Sequence, residues 1–287
     1  MEAIYKKDLK SAFHGMTGWV LCAFMTFVIG LYFTALCLSG GYAEFSYVLN
    51  SIMFVFLVAV PLLTMRSIVE ERRQKTDQLL LTSPATIGSI VWGKYFALLT
   101  VFAVPLVVSA ILPLVMCLFG TVSLLRAYVA LGAFFLLGAA AVAIGLFLSS
   151  LTESQIIAAV CTFGTLLLLY LMPSIAQLVS GTALTSLLAY SLLFAALALL
   201  LYGMMHNKVL PAIAFAAAEV VLLIVYFAKA SLLEGSFPRL MNAVALFDRY
   251  SGFVDGVCDI SALVYFISVA LLFVFLTCQS FEKRRWN

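Results

Sequence analysis

The chain has 287 residues, 65% of them hydrophobic and only 10% charged, with a formal net charge of +3 and a mean hydropathy of +1.16. That composition excludes a soluble globular domain and predicts an all-α polytopic membrane bundle forming one domain. The small positive charge sits in polar segments between apolar runs, so it reports membrane orientation and gives no reason to expect a nucleic-acid partner.

Residues 1–16 mix Ile4, Tyr5, Leu9, Ala12 and Phe13 with Lys6, Lys7 and Lys10. Apolar positions near helical spacing with lysines opposite predict a helix lying on the inner membrane surface. A first span follows from about Thr17 to Ser39, enough to cross a hydrocarbon core of about 30 Å at about 1.5 Å per residue. The second runs from about Val48 to Met65, with Pro61 predicting a kink.

Residues 66–94 hold the densest charge in the chain, including Arg66, Glu70, Glu71, Arg72, Arg73, Lys75 and Lys94. The excess of lysine and arginine places this loop in the cytoplasm. Within it Leu79, Leu80 and Leu81 follow Thr76 and Asp77, and Ser83-Pro84 reads as a helix start, since proline lacks the N–H that a first turn leaves orphaned. Two readings of the leucines stand. They lie on lipid headgroups, or they meet a partner surface.

The third span, about Val91 to Phe119, contains Pro105 and Pro113, which membrane helices tolerate when neighbours satisfy the freed carbonyls. Gly88 to Tyr95 nearly spells a Walker nucleotide-binding loop. Tyr95 stands where the Mg²⁺-binding hydroxyl belongs and no strand precedes it, so the match is rejected and any ATP is expected on another chain.

The fourth span, about Ala127 to Leu148, carries the small-residue pairs Ala139 with Ala143 and Ala141 with Gly145, which predict close helix packing. In the turn 149–155, Thr152 and Gln155 form a capping-box pattern opening the next helix. That fifth span covers about Ile156 to Val179. Two further apolar runs occupy 182–232, bringing the expectation to about eight spans. Glu219 lies mid-run in the second, where burying a charge costs about 3 kcal/mol on insertion scales. It needs a polar neighbour, a proton or water, and a structural role and a transport role both fit.

Residues 233–259 are too polar to span and predict an amphipathic outer segment. The last span runs from about Ile260 to Cys278, ahead of a basic tail. Six cysteines show no C-x-x-C spacing. Core packing accounts for most of them, with a bridge among Cys37, Cys117 and Cys258 as the alternative. His14 and His206 lie in separate inner segments and form no catalytic cluster, so no enzyme activity is expected. Of the 16 lysines and arginines, 12 fall in the segments assigned inside. This tally predicts both termini in the cytoplasm.

Glu-Glu-Arg at 70–72, Thr-x-x-x-Leu-Leu-x-Thr-x-Pro from Thr76 and Val-x-Gly-Lys-Tyr from Val91 resemble, in that order, the coupling loop of ABC-2 type permeases. The gliding-motility-associated branch is the most similar. The turn Ser-Leu-Thr-Glu-Ser-Gln at 150–155 and the terminal Lys-Arg-Arg-Trp also match. The resemblance covers roughly residues 1–180 and 245–287, with two spans inserted between. It implies an elbow helix at 1–16, a coupling loop at 66–94 and a six-span core. It further implies an exporter of the bacterial inner membrane, driven by a separate ATP-binding subunit that holds ATP and Mg²⁺, and paired with a second copy or a related permease. Glu70, Glu71, Arg72, Thr76, Leu79, Leu80, Leu81, Pro84 and Glu153 then face the ATPase. The competing expectation is an ion-coupled secondary transporter using Glu219, although the chain lacks the internal repeat such folds favour.

Overall fold

The computed structural model describes residues 1–42, 44–74, 86–118, 120–204, 209–229 and 232–286, and among these the regular structure is helical. The N-terminal helix α1 (Glu2–His14) leads into α2 (Met16–Phe33), which a π-helical turn extends to Ser39. Helices α3 (Phe45–Ser51), α4 (Phe56–Thr64) and α5 (Val69–Arg73) follow, then α6 (Ile87–Ser109) and α7 (Leu112–Cys117). The chain continues through α8 (Leu124–Leu151), α9 (Gln155–Leu178), α10 (Ala183–Met204) and α11 (Val209–Ala228). It ends with α12 (Ser236–Val244), α13 (Ser251–Val254) and α14 (Ile260–Trp286).

Among the described residues six stretches are long and apolar enough to cross a membrane: Met16–Ser39, Phe45–Arg73, Ile87–Cys117, Leu124–Leu151, Gln155–Leu178 and Ile260–Lys283. Helices α10 and α11, 22 and 20 residues long, are apolar as well. Two of the six are jointed. The second narrows to a 3-10 turn at Met53–Val55. The third breaks at Ala110–Ile111, where Pro113 enters the first turn of α7 and its ring would crowd the Ser109 carbonyl in an unbroken helix.

The chain divides into two compact units, Met1–Leu168 with Arg249–Asn287, and Leu169–Asp248. In the larger unit α8 is the central helix, with Ala130, Phe134, Leu137 and Ala140 to Leu146 buried. Its small residues let neighbours close in, as their spacing predicts. A Cβ on Gly138 would overlap the Phe102 ring of α6, and one on Gly145 would overlap Thr64 of α4. Phe56 fills the same layer, its ring centroid 4.7 Å from Phe134 and 5.6 Å from Phe102. The Tyr95 hydroxyl donates to the Ala139 carbonyl at 3.0 Å and Tyr250 to Ala130 at 3.2 Å. These bonds satisfy two buried phenols. Helix α14 lies along α8, with Phe266 buried and Phe273 against Phe147. Because overpacking a tight layer costs about 1–3 kcal/mol, Gly138→Ala is expected to lower the unfolding midpoint in detergent. An unchanged midpoint would mean that Phe102 can turn aside at no cost.

In the smaller unit α10 packs on α11, and Tyr190 meets Phe194 and Phe237. Gly235 donates its N–H to the Gly181 carbonyl at 3.0 Å. Gly235 also opens α12 with φ of +66°, a conformation that costs glycine nothing and most residues a good deal.

All six cysteines are free, which removes the alternative of a bridge among Cys37, Cys117 and Cys258. Cys22 is the buried one, whereas Cys117, Cys161 and Cys258 lie exposed on the protein surface. The expectation of core packing was too broad, because an apolar span supplies lipid-facing positions as readily as core ones.

Candidate functional site: an ion cluster at the basic end of the bundle

Lys94 lies two turns into α6 with its side chain only 1% exposed. Its ammonium group reaches Asp8 Oδ2 of α1 at 3.1 Å, Glu71 Oε2 of α5 at 2.8 Å and the Ser67 carbonyl at 3.1 Å. A lysine ammonium has three donors, and all three are directed to acceptors. Glu71 Oε1 accepts from Lys7 of α1 at 2.8 Å. Among the described residues, two cations and two anions from three helices thus form a neutral cluster.

Local sequence explains the geometry. Ile4, Tyr5 and Asp8 share one face of α1, since residues three and four apart are helical neighbours. Gly93 allows that face to approach α6, where a Cβ would stand 3.3 Å from Ile4 and 3.2 Å from the Met1 carbonyl. Two turns further along, the Tyr5 and Thr100 hydroxyls share a hydrogen bond of 3.0 Å. Ile68 and Val69, both buried, seat α5 and bring Glu71 inward. Thr86 starts α6, its Oγ1 accepting from the Ser89 N–H at 3.4 Å while Ser89 Oγ donates back to the Thr86 carbonyl at 2.7 Å.

Burial by itself lowers the Lys7 pKa, but the Glu71 hydrogen bond and charge, with Asp8 beside them, outweigh it and hold the ammonium above the ordinary lysine value.

Arg72 turns the other way and is 7% exposed. It donates from Nη1 to the Thr152 carbonyl at 3.1 Å, and its guanidinium carbon lies 5.9 Å from the centre of the Phe281 ring on α14. Ser280 Oγ donates to the Ser150 carbonyl at 3.5 Å. The segment after α4, the turn after α8 and the end of α14 therefore meet at one end of the bundle. Ser149, Ser150 and Thr152 have buried hydroxyls with no hydrogen-bond partner among the described residues.

Two expectations change here. Glu71 was expected in a cytoplasmic loop facing the ATPase, yet its side chain is 13% exposed and two lysines hold it. An amphipathic α1 shields it, which the reading of 66–94 as a solvated loop did not take into account. The Thr152–Gln155 capping box does not form around Thr152 Oγ1, which is without a partner among the described residues. The extended backbone of Thr152 instead offers its carbonyl to Arg72.

Of the residues expected to face a partner, Glu70 and Glu153 are exposed, whereas Glu71 is half-buried and Arg72 buried. Thr76, Leu79, Leu80, Leu81 and Pro84 lie outside the described residues. Sequence reasoning missed Asp8 and Ser67 as partners of Lys94, and Lys7 as a partner of Glu71. The available signals were a lysine set in the apolar run Val91 to Phe96 and one aspartate among the lysines of α1.

Glu219 lies on α11, half-buried. Its Oε1 is buried and lacks a hydrogen-bond partner among the described residues. Among the described residues no cluster of histidine, cysteine, aspartate or glutamate is arranged to hold a metal ion.

Six membrane-length helices among the described residues mark a multi-pass membrane protein. Residues 4–210, more than two-thirds of the chain, match the family model described as ABC-2 family transporter protein. The chain belongs to this family and is a membrane permease component of an ABC transporter. Membership implies an ATP-binding partner subunit. The match runs on through α10, which the sequence reading had placed outside the resemblance. Comparison with curated proteins and with solved structures gives no match.

Proposed function

We propose that the chain is the membrane half of an ATP-driven exporter, most similar to the gliding-motility-associated branch, and that its basic end receives the motion of a separate ATPase subunit. The observation that carries this reading is the convergence of α1, α5, α6, the turn after α8 and the end of α14 on one charged layer. A stroke applied to the polar segment after Arg73 has a direct mechanical route into the spans. ATP and Mg²⁺ belong to the partner, and this chain supplies no cofactor site. Glu70, Glu153, Thr76, Pro84 and the three leucines at 79–81 form the docking surface, whereas Glu71 and Arg72 are engaged by Lys94 and the Thr152 carbonyl and stand outside it. The second permease half is another copy or a related chain. Purification of the complex from native membrane, with identification of the bound ATPase and permease, tests the assembly. Recovery of the chain without any ATPase under conditions that preserve other complexes would count against it.

By the positive-inside rule the basic end is cytoplasmic, both termini are inside, and α10 and α11 cross as an added pair in a bacterial inner membrane. Single cysteines in a cysteine-free background test this arrangement in intact cells. Position 207 is expected to resist an impermeant maleimide, and outside labelling there would refute the added pair.

Glu219 supports a second reading, because a buried carboxyl oxygen without a partner among the described residues suits a proton or cation pathway. The expectation under the main reading is that Glu219→Gln retains assembly and ATPase stimulation, since glutamine preserves shape and removes only the charge. If Glu219→Gln abolishes transport while ATPase capture persists, the ion-coupled reading gains the position.

A further inference from the structure

The ion cluster is neutral as a whole, and its central cation has no donor to spare. Asp8 and Glu71 come from different helices and converge on one ammonium with almost no access to water. Drawing α5 away from α1 would break two ion pairs at once, Lys94 with Glu71 and Lys7 with Glu71. Each intermediate position would leave a charge unpaired in an apolar wall, where the protein offers no solvent to replace its partner. The Tyr5–Thr100 hydrogen bond and the close approach at Gly93 fasten α1 to α6 along a second line. Beyond them α6 carries Pro105 and then the break at Ala110, two places where a helix can bend.

We propose that Lys94 is a positioning residue for transport coupling. It joins α1, α5 and the first half of α6 into a single body, so that force arriving through the segment after Arg73 turns the third span and carries α1 with it. This rests on the reading of the basic end as the ATPase-facing end. Lys7, the exposed member, closes the cluster from outside, and Lys94 bears the load.

The test uses the whole permease–ATPase complex, with paired spin labels on cysteines placed in a cysteine-free permease. One pair joins positions 10 and 73, which are exposed on α1 and α5. The other joins position 10 to position 125, exposed at the far end of α8. Distances are read without nucleotide and with ATP trapped by vanadate. The expected result is an unchanged 10–73 distance and a displaced 10–125 distance. In the triple variant Asp8→Asn, Glu71→Gln, Lys94→Met, which leaves no buried charge unpaired, ATPase capture persists. There the 10–73 distance broadens and follows the nucleotide, while the 10–125 displacement is lost. A 10–73 shift of more than about 2 Å in the parent, the scale of helix shifts in switching proteins, overturns the inference. It is overturned equally if the triple variant moves as the parent does, or loses ATPase capture, which would make the cluster part of the dock. The parent measurement decides alone if the triple variant fails to accumulate. A 10–125 distance indifferent to nucleotide in the parent refutes ATP-driven motion itself, and the inference falls with it.

Discussion

Lys94→Met alone is expected to strip most of the folded permease from the membrane. The substitution removes the buried cation shared by Asp8 and Glu71, so Asp8 loses that ion pair and Glu71 keeps Lys7 but loses its more buried cation. Removing one partner of a buried ion pair costs about 3–5 kcal/mol, a large part of the total of about 5–15 kcal/mol that holds a typical domain together. Lys7→Met is the control. Lys7 pairs with the same Glu71, but its side chain is 57% exposed, and pairs reaching solvent contribute about 0–1 kcal/mol. Glu71→Lys belongs with Lys94→Met in severity, since it sets three cations side by side. Detergent-extracted yield and thermal midpoint compare the three variants. Equal stability of Lys94→Met and its parent would mean that water reaches the cluster freely.

Leu79→Ser combined with Leu80→Ser is expected to give a permease that inserts and folds normally but fails to hold its ATPase. Complete burial of a leucine contributes about 1.5–3 kcal/mol. Two of them, even partly buried, correspond to about a hundredfold in affinity, since about 1.4 kcal/mol is tenfold. The core of the larger unit is built from α4, α6, α8 and α14, so stability in detergent should not change. Pull-down of the ATPase at matched permease levels reads the effect. Undiminished capture by the double serine variant would make the leucines a headgroup contact, and the proposed dock would lose its support.

Most of the helical layout was legible because membrane spans announce themselves by length and apolarity, quantities that need no tertiary information. Six of the expected spans recur, five within a few residues of their sequence limits and the second extended from Met65 to Arg73, and Gly138 and Gly145 serve the close packing that small residues imply. Charge was read less well. The positive-inside count treats every lysine in an inner segment alike, and Lys94 was counted as a solvated loop residue when it is the most buried charge of the cluster. The pairing that buries it joins positions 86 residues apart, and no local pattern encodes that register. Thr152 shows the opposite failure. Its neighbours spell a capping box, but a cation from another helix claims its carbonyl while its hydroxyl stays without a partner among the described residues.

The position of Arg72 on the Thr152 carbonyl has a consequence for α8 itself. Aligned peptide dipoles leave about half a negative charge at the C-terminal end of a long helix, and a cation there is stabilising. The last turn of α8 contains no basic residue of its own. Its compensating charge arrives instead from a segment 80 residues upstream, already synthesised when the end of α8 emerges. The central helix of the bundle is thus electrostatically complete only once the second span has brought its own end to the same membrane face. Correct insertion of the earlier segment becomes a condition for finishing the later one.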